Sequence, residues 1–372
     1  MIYADNAATT KLCPEAFDAM KPYLLSEYGN ASQPYSFAKS AKKALKSARE
    51  TIAACIGASP EEIYFTSGGT ESDNWVIKSV LFADKRKNRI ITSEIEHHAI
   101  LNSCNTVNML GVPIMYLPVD NKGYIHASDL EKAIRDDTYL VSIMYANNEI
   151  GTIEPIMDLS NIAHSHGILF HTDAVQAIGH VPINAHALGV DFLSSSAHKF
   201  NGPKGIGFLY IHNGVDLHPY ADGGSQENAH RAGTENIAAI AGMAVALKKN
   251  VDRISEEATK LQTLEDTLLF ELKMSGVDFI RNGSEKHLPG NVNLSFRNAD
   301  GEMLLHRLDL KNICISTGSA CDSVNTQVSH VIKAIHVPSE YAEGTIRITF
   351  GANNTADDAV QIAKELIKIL QS

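Results

Sequence analysis

The chain lacks what a cross-linked or metal-built fold would need. Its five cysteines, Cys13, Cys55, Cys104, Cys314 and Cys321, are odd in number and include no Cys-x-x-Cys pair, which excludes a disulfide framework and a zinc ribbon. The histidines are scattered, and neither His97-His98 nor His164/His166 has carboxylates or thiols at ligand spacing, so no metal is expected. Positive charge is sparse. Lys and Arg total 32 against 43 Asp and Glu, the formal net charge is -11, and Lys85-Arg86-Lys87 is the one basic block. Binding to nucleic acid needs clustered positive charge, so that partner class is excluded. There is no apolar run long enough to span a bilayer and no leader pattern in Met1-Ile2-Tyr3-Ala4-Asp5, so no membrane partner and a cytoplasmic location are expected. Low-complexity segments and internal repeats are also missing.

What is there is an ordinary globular composition, 44% hydrophobic and 20% charged over 372 residues. That length predicts a large domain with a smaller companion. Pro14 marks a helix start, and Ala38 to Ala54, stopped by Gly57, predicts an amphipathic helix. Strand-like runs at Ile63 to Thr66, Arg89 to Ser93, Val112 to Leu117, Leu140 to Tyr145, Ile168 to His171 and Phe208 to Ile211 alternate with helical segments. This alternation predicts an α/β fold with a mainly parallel sheet. A long Ala-rich helix from about Ile237 leads to a rise in charge near Arg253 to Glu257, inside an expected connecting helix. The expected division is residues 15–255 as the large domain, with 1–14 and 256–372 as the small α+β domain. In the latter, Val292 to Phe296 and Thr345 to Phe350 read as strands, and Thr355 with Asp358 reads as a capping box opening the last helix.

Chemistry concentrates between His171 and Gly207. His171-Thr172-Asp173-Ala174-Val175-Gln176 follows one buried strand, and Ser194-Ser195-Ser196-Ala197-His198-Lys199 follows the next. Both clusters would face one crevice, because ligands of an open parallel sheet sit beyond the carboxyl ends of its strands. An Asp and a Lys there suit pyridoxal phosphate, with the Lys forming the Schiff base and the Asp holding the pyridine nitrogen protonated. Upstream, Ser67-Gly68-Gly69-Thr70-Glu71 lies between a strand and a helix. Two glycines before a helix N-terminus make a phosphate cradle.

At these residues the chain resembles the class V aminotransferase-like family of pyridoxal-phosphate enzymes, and within it the cysteine desulfurases of the bacterial iron–sulfur assembly type. The likeness runs from Tyr3-Ala4-Asp5-Asn6-Ala7-Ala8-Thr9-Thr10 to Gly344-Thr345-Ile346-Arg347. It implies transferase fold type I, with a mainly parallel seven-stranded sheet in the large domain and the N-terminal strand added to the small one. It implies Lys199 as the cofactor lysine, Asp173 at the ring nitrogen, Gln176 at the phenolic oxygen, and Asn148 near the ring and substrate. Of the adjacent His97 and His98, the family's Glu-His pairing selects His97 to lie over the ring and move protons. Phosphate ligands would be Gly69, Thr70, Ser196 and His198, with Thr234 supplied by the other subunit of a homodimer. Arg347 would grip the substrate carboxylate, with Asn148 and Asn30 on the substrate side. Cys321, in Ser316-Thr317-Gly318-Ser319-Ala320-Cys321, would take sulfur from L-cysteine as a persulfide and leave L-alanine.

The resemblance also implies a sulfur-acceptor partner, such as an iron–sulfur scaffold or a tRNA-thiolation protein. Rival readings on the same scaffold are a selenocysteine lyase, an aminotransferase, or a non-catalytic sulfur-assembly scaffold. The chain departs from the family at two places. Gly29-Asn30-Ala31-Ser32-Gln33-Pro34-Tyr35 lacks the histidine of the usual Gly-Asn-Pro-Ser-Ser-x-His, and Asn228-Ala229 replaces Arg-Gly. Both bear on substrate preference, partner choice and rate.

Overall fold

The computed structural model describes residues 1–317 and 328–371. After a two-residue strand β1 (Ile2–Tyr3), seven strands form one sheet: β2 (Ile63–Thr66), β3 (Arg89–Ser93), β4 (Ile114–Leu117), β5 (Thr138–Ser142), β6 (Leu169–Asp173), β7 (Phe192–Ser196) and β8 (Gly207–Ile211). Their spatial order is β2-β8-β7-β6-β5-β3-β4. Neighbours from β7 to β4 run parallel, and β8 is antiparallel to both of its neighbours. The sheet is therefore mainly parallel, as the alternation of strands and helices predicted. Every residue of β7 and β8 is buried, the signature of strands covered on both faces. The expected strand at Val112 starts later, at Ile114. Pro113 has no N–H to add to a ladder, and its carbonyl accepts from the Ile90 amide (3.0 Å).

Helices α1 (Pro14–Leu25) and α2 (Lys39–Cys55) share a core with one face of this sheet, through Phe65, Phe170 and Phe208, while α3 (Gly69–Ser79) and α4 (His98–Met109) share one with the other face, through Ile90, Leu140 and Phe192. The helix Ile237–Asp252 packs on α1 and α2. It ends where Arg253 leaves helical geometry (φ -118°, ψ 7°), and a second helix, Ile254–Met274, begins at once. The charge-rich stretch expected inside one connecting helix is thus the joint between two.

Beyond that joint lies a second apolar core. The strands β9 (Phe279–Asn282), β10 (Asn291–Phe296) and β12 (Thr345–Thr349) form an antiparallel sheet, while β11 (Ile313–Cys314) pairs in parallel with β1. Ile2 and Ala4 join Leu264, Leu294, Ile346 and Ile362 in this core, so the first residues of the chain pack with the last hundred. Thr355 and Asp358 form the expected capping box at the start of the helix Ala356–Leu370. Among the described residues no helix is long and apolar enough to cross a membrane.

One buried carboxyl in the large core gives a stability prediction. Glu154 is 2% exposed, its Oε2 accepts the Ile125 amide (2.9 Å), and its Oε1 has no hydrogen-bond partner among the described residues. Burial, as the largest cause, pushes its pKa up to about 8. A carboxyl raised in the folded state contributes stability that is present below its unfolded pKa, near 4.3, and is lost as pH rises through about 8. Glu154→Gln keeps the acceptor without the charge. It should melt with the wild type at pH 4, where both are uncharged, and about 4 °C or more above it at pH 9. Parallel melting curves at both pH values would refute this.

Candidate active site

The cradle comes first, because its shape is set by backbone. β2 ends at Thr66 and α3 begins at Gly69. Gly68 adopts φ 148°, which side-chain-bearing residues avoid. A Cβ on Gly69 would lie 2.5 Å from Val175 Cγ2, and one on Gly68 would lie 3.3 Å from Ser196 Oγ. The turn is therefore pressed against the ends of β6 and β7, with unpaired α3 amides and the helix dipole turned to the gap. Glu71, in the first turn of α3, would oppose an anion there, but Arg231 neutralises it through two hydrogen bonds (2.8 and 3.2 Å). The same pair ties the 223–236 segment to α3. A second clamp, Arg49 with Glu227 (2.6 and 2.9 Å), holds it to α2. Thr70 and Thr234 are exposed.

Next to the cradle, β6 and β7 deliver Asp173 and Lys199. Asp173 is buried, and its Oδ1 accepts the Val175 amide (2.9 Å). Burial is the largest cause raising its pKa to about 6, against the lowering pull of that amide and of Lys199. Lys199 sits at the end of the single 3-10 turn Ala197–Lys199 that follows β7. Its backbone is pinned, since His180 Nε2–H donates to its carbonyl (2.8 Å), while the Thr10 amide and hydroxyl donate to the carbonyl of His198 (2.9 and 2.8 Å). Lys199 Nζ donates to the carbonyls of Ala7 and Ala8 (3.0 Å to the latter), and Gln176 Nε2 also donates to Ala7 (2.9 Å). His198 Nδ1 lies 3.1 Å from Thr9 Oγ1. The N-terminal stretch thus brings Lys199, Gln176 and His198 together.

His97 forms the N-cap of α4, its Nδ1 accepting the Ala99 amide (3.1 Å). Burial first, then the charge of Lys199, lowers its pKa to about 4. The ring is therefore neutral at physiological pH, and with Nδ1 committed as acceptor its proton sits on Nε2.

Arg347, on β12, is 2% exposed. Its Nη1 donates to the Asn148 carbonyl (2.9 Å) and its Nη2 to Asp5 Oδ1 (2.7 Å), while Nε finds no partner among the described residues. A buried guanidinium with a donor left over is a carboxylate receptor in waiting. Asn30 lies half-buried after α1, its Oδ1 accepting the Ser32 amide (2.9 Å). Cys321 lies outside the described residues.

Sequence reasoning did not assign Asp5, although it is the ion partner of Arg347, nor the Ala7 carbonyl that gathers Lys199 and Gln176. Both fall within the quoted Tyr3–Thr10 stretch, which was the available signal. Asn147 was also passed over. Its Oδ1 accepts the amides of Glu149 and Ile150 (2.8 and 3.0 Å) and its Nδ2 donates to the Ile95 carbonyl (2.9 Å), which shapes the loop that presents Asn148. The donor set as a whole fits pyridoxal phosphate: a glycine-built anion cradle, a buried carboxylate, and a lysine between them.

Comparison with known proteins agrees with this chemistry. The family described as "Aminotransferase class-V" matches residues 2–362. The chain is 50% identical to "Cysteine desulfurase IscS" of Dictyoglomus turgidum, over 100% of this chain and 94% of that one. It is 46% identical to "Cysteine desulfurase IscS" of Methanosarcina thermophila, over 100% of this chain and 92% of that one. Among solved structures it is similar to a "NIFS-LIKE PROTEIN", with TM-score 0.94 and 38% identity over 100% of this chain and 99% of that one. It is also similar to "SspA in complex with cysteine", with TM-score 0.83 and 36% identity over 94% of this chain and 99% of that one.

Proposed function

The chain belongs to the aminotransferase class-V family, alongside its cysteine desulfurases, and from that premise we propose how its own residues carry sulfur from L-cysteine to an acceptor. Pyridoxal phosphate, when bound, supplies an aldehyde for an amine and a ring that takes up the electrons released at the substrate Cα. The α3 N-terminus with Gly69, Thr70, Ser196 and His198 would hold its phosphate, Asp173 its ring nitrogen, and Gln176 and Asn148 its ring edge. Thr234 would come from the second subunit of a homodimer.

Arg347 binds the substrate carboxylate through the donor edge that Asp5 pre-orients, and Asn30 borders the same space. Lys199 Nζ takes the Cα proton once its amine is displaced by the substrate. His97, its ring neutral with the proton on Nε2, would offer a hydrogen bond at the reacting face and is not the base, which leaves proton movement to Lys199 Nζ. Cys321, as thiolate, attacks the substrate sulfur. The S–S bond of a Cys321 persulfide forms as the Cβ–S bond breaks, a proton is added at Cβ, and L-alanine leaves. The persulfide sulfur then passes to an acceptor protein, of the iron–sulfur scaffold or tRNA-thiolation kind, or to a thiol.

The observation that carries this reading is the convergence of Lys199, Asp173 and the Gly68-Gly69 cradle at the ends of three strands, in a chain 50% identical to a cysteine desulfurase. It is tested by supplying L-cysteine, pyridoxal phosphate and a thiol reductant. Alanine and sulfide should appear in equal amounts. A 2-oxo acid in place of alanine would overturn the reading and favour an aminotransferase. In the same assay Arg347→Ala should raise KM for cysteine about 100-fold with a smaller change in kcat, because it removes a charge-assisted double contact to a non-reacting group. Arg347→Lys should recover only part of that, since a lysine lacks the planar fork. An unchanged KM in both variants would remove Arg347 from the substrate site.

A further inference from the structure

Behind Asp173 lies a polar cluster that the mechanism above does not use. The registers of the sheet place it: Ser142 pairs with His171 across β5 and β6, and Asp173 pairs with Ser194 across β6 and β7. Strand period puts His171 and Asp173 on one face, and α3 packs against β6 and β7. Asp73, one helical turn after Gly69, lies in α3 and is 1% exposed. His171 joins the cluster end to end, with Nδ1 at 2.8 Å from Ser142 Oγ and Nε2 at 2.9 Å from Ser194 Oγ. Asp73 faces this chain of groups, its Oδ1 3.7 Å from His171 Nε2 and without a hydrogen-bond partner among the described residues.

We propose that Asp73 bears its proton at neutral pH and, in that neutral form, is a positioning residue that packs against the Ser194–His171 network and leaves Asp173 as the anion for a protonated cofactor ring. The inference rests on the cofactor reading above. The titratable groups that act on Asp73 are Asp173, Glu96 and, nearest, His171. Two are carboxyls, and burial lowers the His171 pKa to about 3, so that ring is neutral and supplies no countercharge. A fully buried carboxylate without a cation is strongly disfavoured, and the acid keeps its proton instead. Its pKa is raised well above the usual range, with burial the largest cause and the charge of Asp173 next. Were Asp73 ionised, its charge would push the proton onto Asp173, and the ring nitrogen would lose its counter-ion.

The test compares full-length wild type, Asp73→Asn and Asp73→Ala, before and after addition of pyridoxal phosphate. The infrared difference between wild type and Asp73→Asn at pH 7 should show the carbonyl stretch of a protonated carboxylic acid. Carboxylate bands in its place overturn the proposal. With cofactor bound, the absorbance of Asp73→Asn should titrate with wild type, whereas a fall of about one pH unit would mean that a negative charge had been removed. Asp73→Ala, which empties the buried space beside His171 and Asp173, should weaken cofactor binding about tenfold, and Asp73→Asn should restore it. Equal affinity in all three proteins overturns the positioning role. So does an Asp73→Asn protein that fails to fold, because a neutral amide of the same shape then replaces a neutral acid. The infrared reading before cofactor addition is independent of desulfurase activity, so a failed sulfur assay and a failed Asp73 proposal remain distinguishable.

Discussion

Lys199→Ala should lower kcat for L-cysteine by about 10⁴-fold or more, since it removes both the amine that anchors the cofactor and the base that takes the Cα proton. The surroundings say why no neighbour replaces it. His97 has its Nδ1 engaged by the Ala99 amide and its pKa lowered to about 4. His198 is likewise lowered to about 4, with burial the first cause and Lys199 the second. Neither imidazole is a strong base at neutral pH. The fold should survive, because the backbone of the turn is held by His180 and Thr10, and Gln176 still donates to the Ala7 carbonyl. Borohydride should fix pyridoxal phosphate covalently to the wild type and not to the variant. Equal labelling of both proteins would remove Lys199 from the role.

Cys321→Ala should abolish sulfide and alanine release from L-cysteine, by about 10³-fold or more, while the yellow colour of the bound cofactor stays. The argument by chemistry lies with the other thiols. A thiolate is the nucleophile, and burial pushes Cys104 up to about 12 and Cys55 up to about 11. Cys13 is buried, and Cys314 is half-buried on β11. Pyridoxal chemistry at Lys199 does not need Cys321, so colour and sulfur transfer should separate cleanly. Equal sulfide release in wild type and variant would point instead to a lyase that frees sulfur without a protein persulfide.

Local patterns were legible without coordinates wherever the physics is local. The run Ile63 to Thr66, the glycine pair after it, the Ala-rich helix from Ile237 and the capping box at Thr355 depend on residues a few positions apart. For the same reason Lys199 and Asp173 could be picked out as chemical candidates from the short segments that hold them, whereas Gln176, and His97 over its neighbour His98, came from the family resemblance. The reversal of β8 was not legible, because strand direction depends on how Gly202 to Gly207 turns the chain and not on the apolar content of Phe208 to Ile211. The charge rise at Arg253 marked a joint but not its form.

By itself, then, the sequence determined which elements form and which side chains have suitable chemistry, since periodicity, capping and residue type act over one or two turns. Tertiary structure alone decided which groups meet. Asp5 pairs with Arg347 across 342 positions, the Ala8 carbonyl reaches Lys199 across 191, and Asp73 is stripped of water behind Asp173 only when α3 closes over β6 and β7. Ion pairing, hydrogen bonding and desolvation depend on distance in space, and that distance exists only after the two cores have packed.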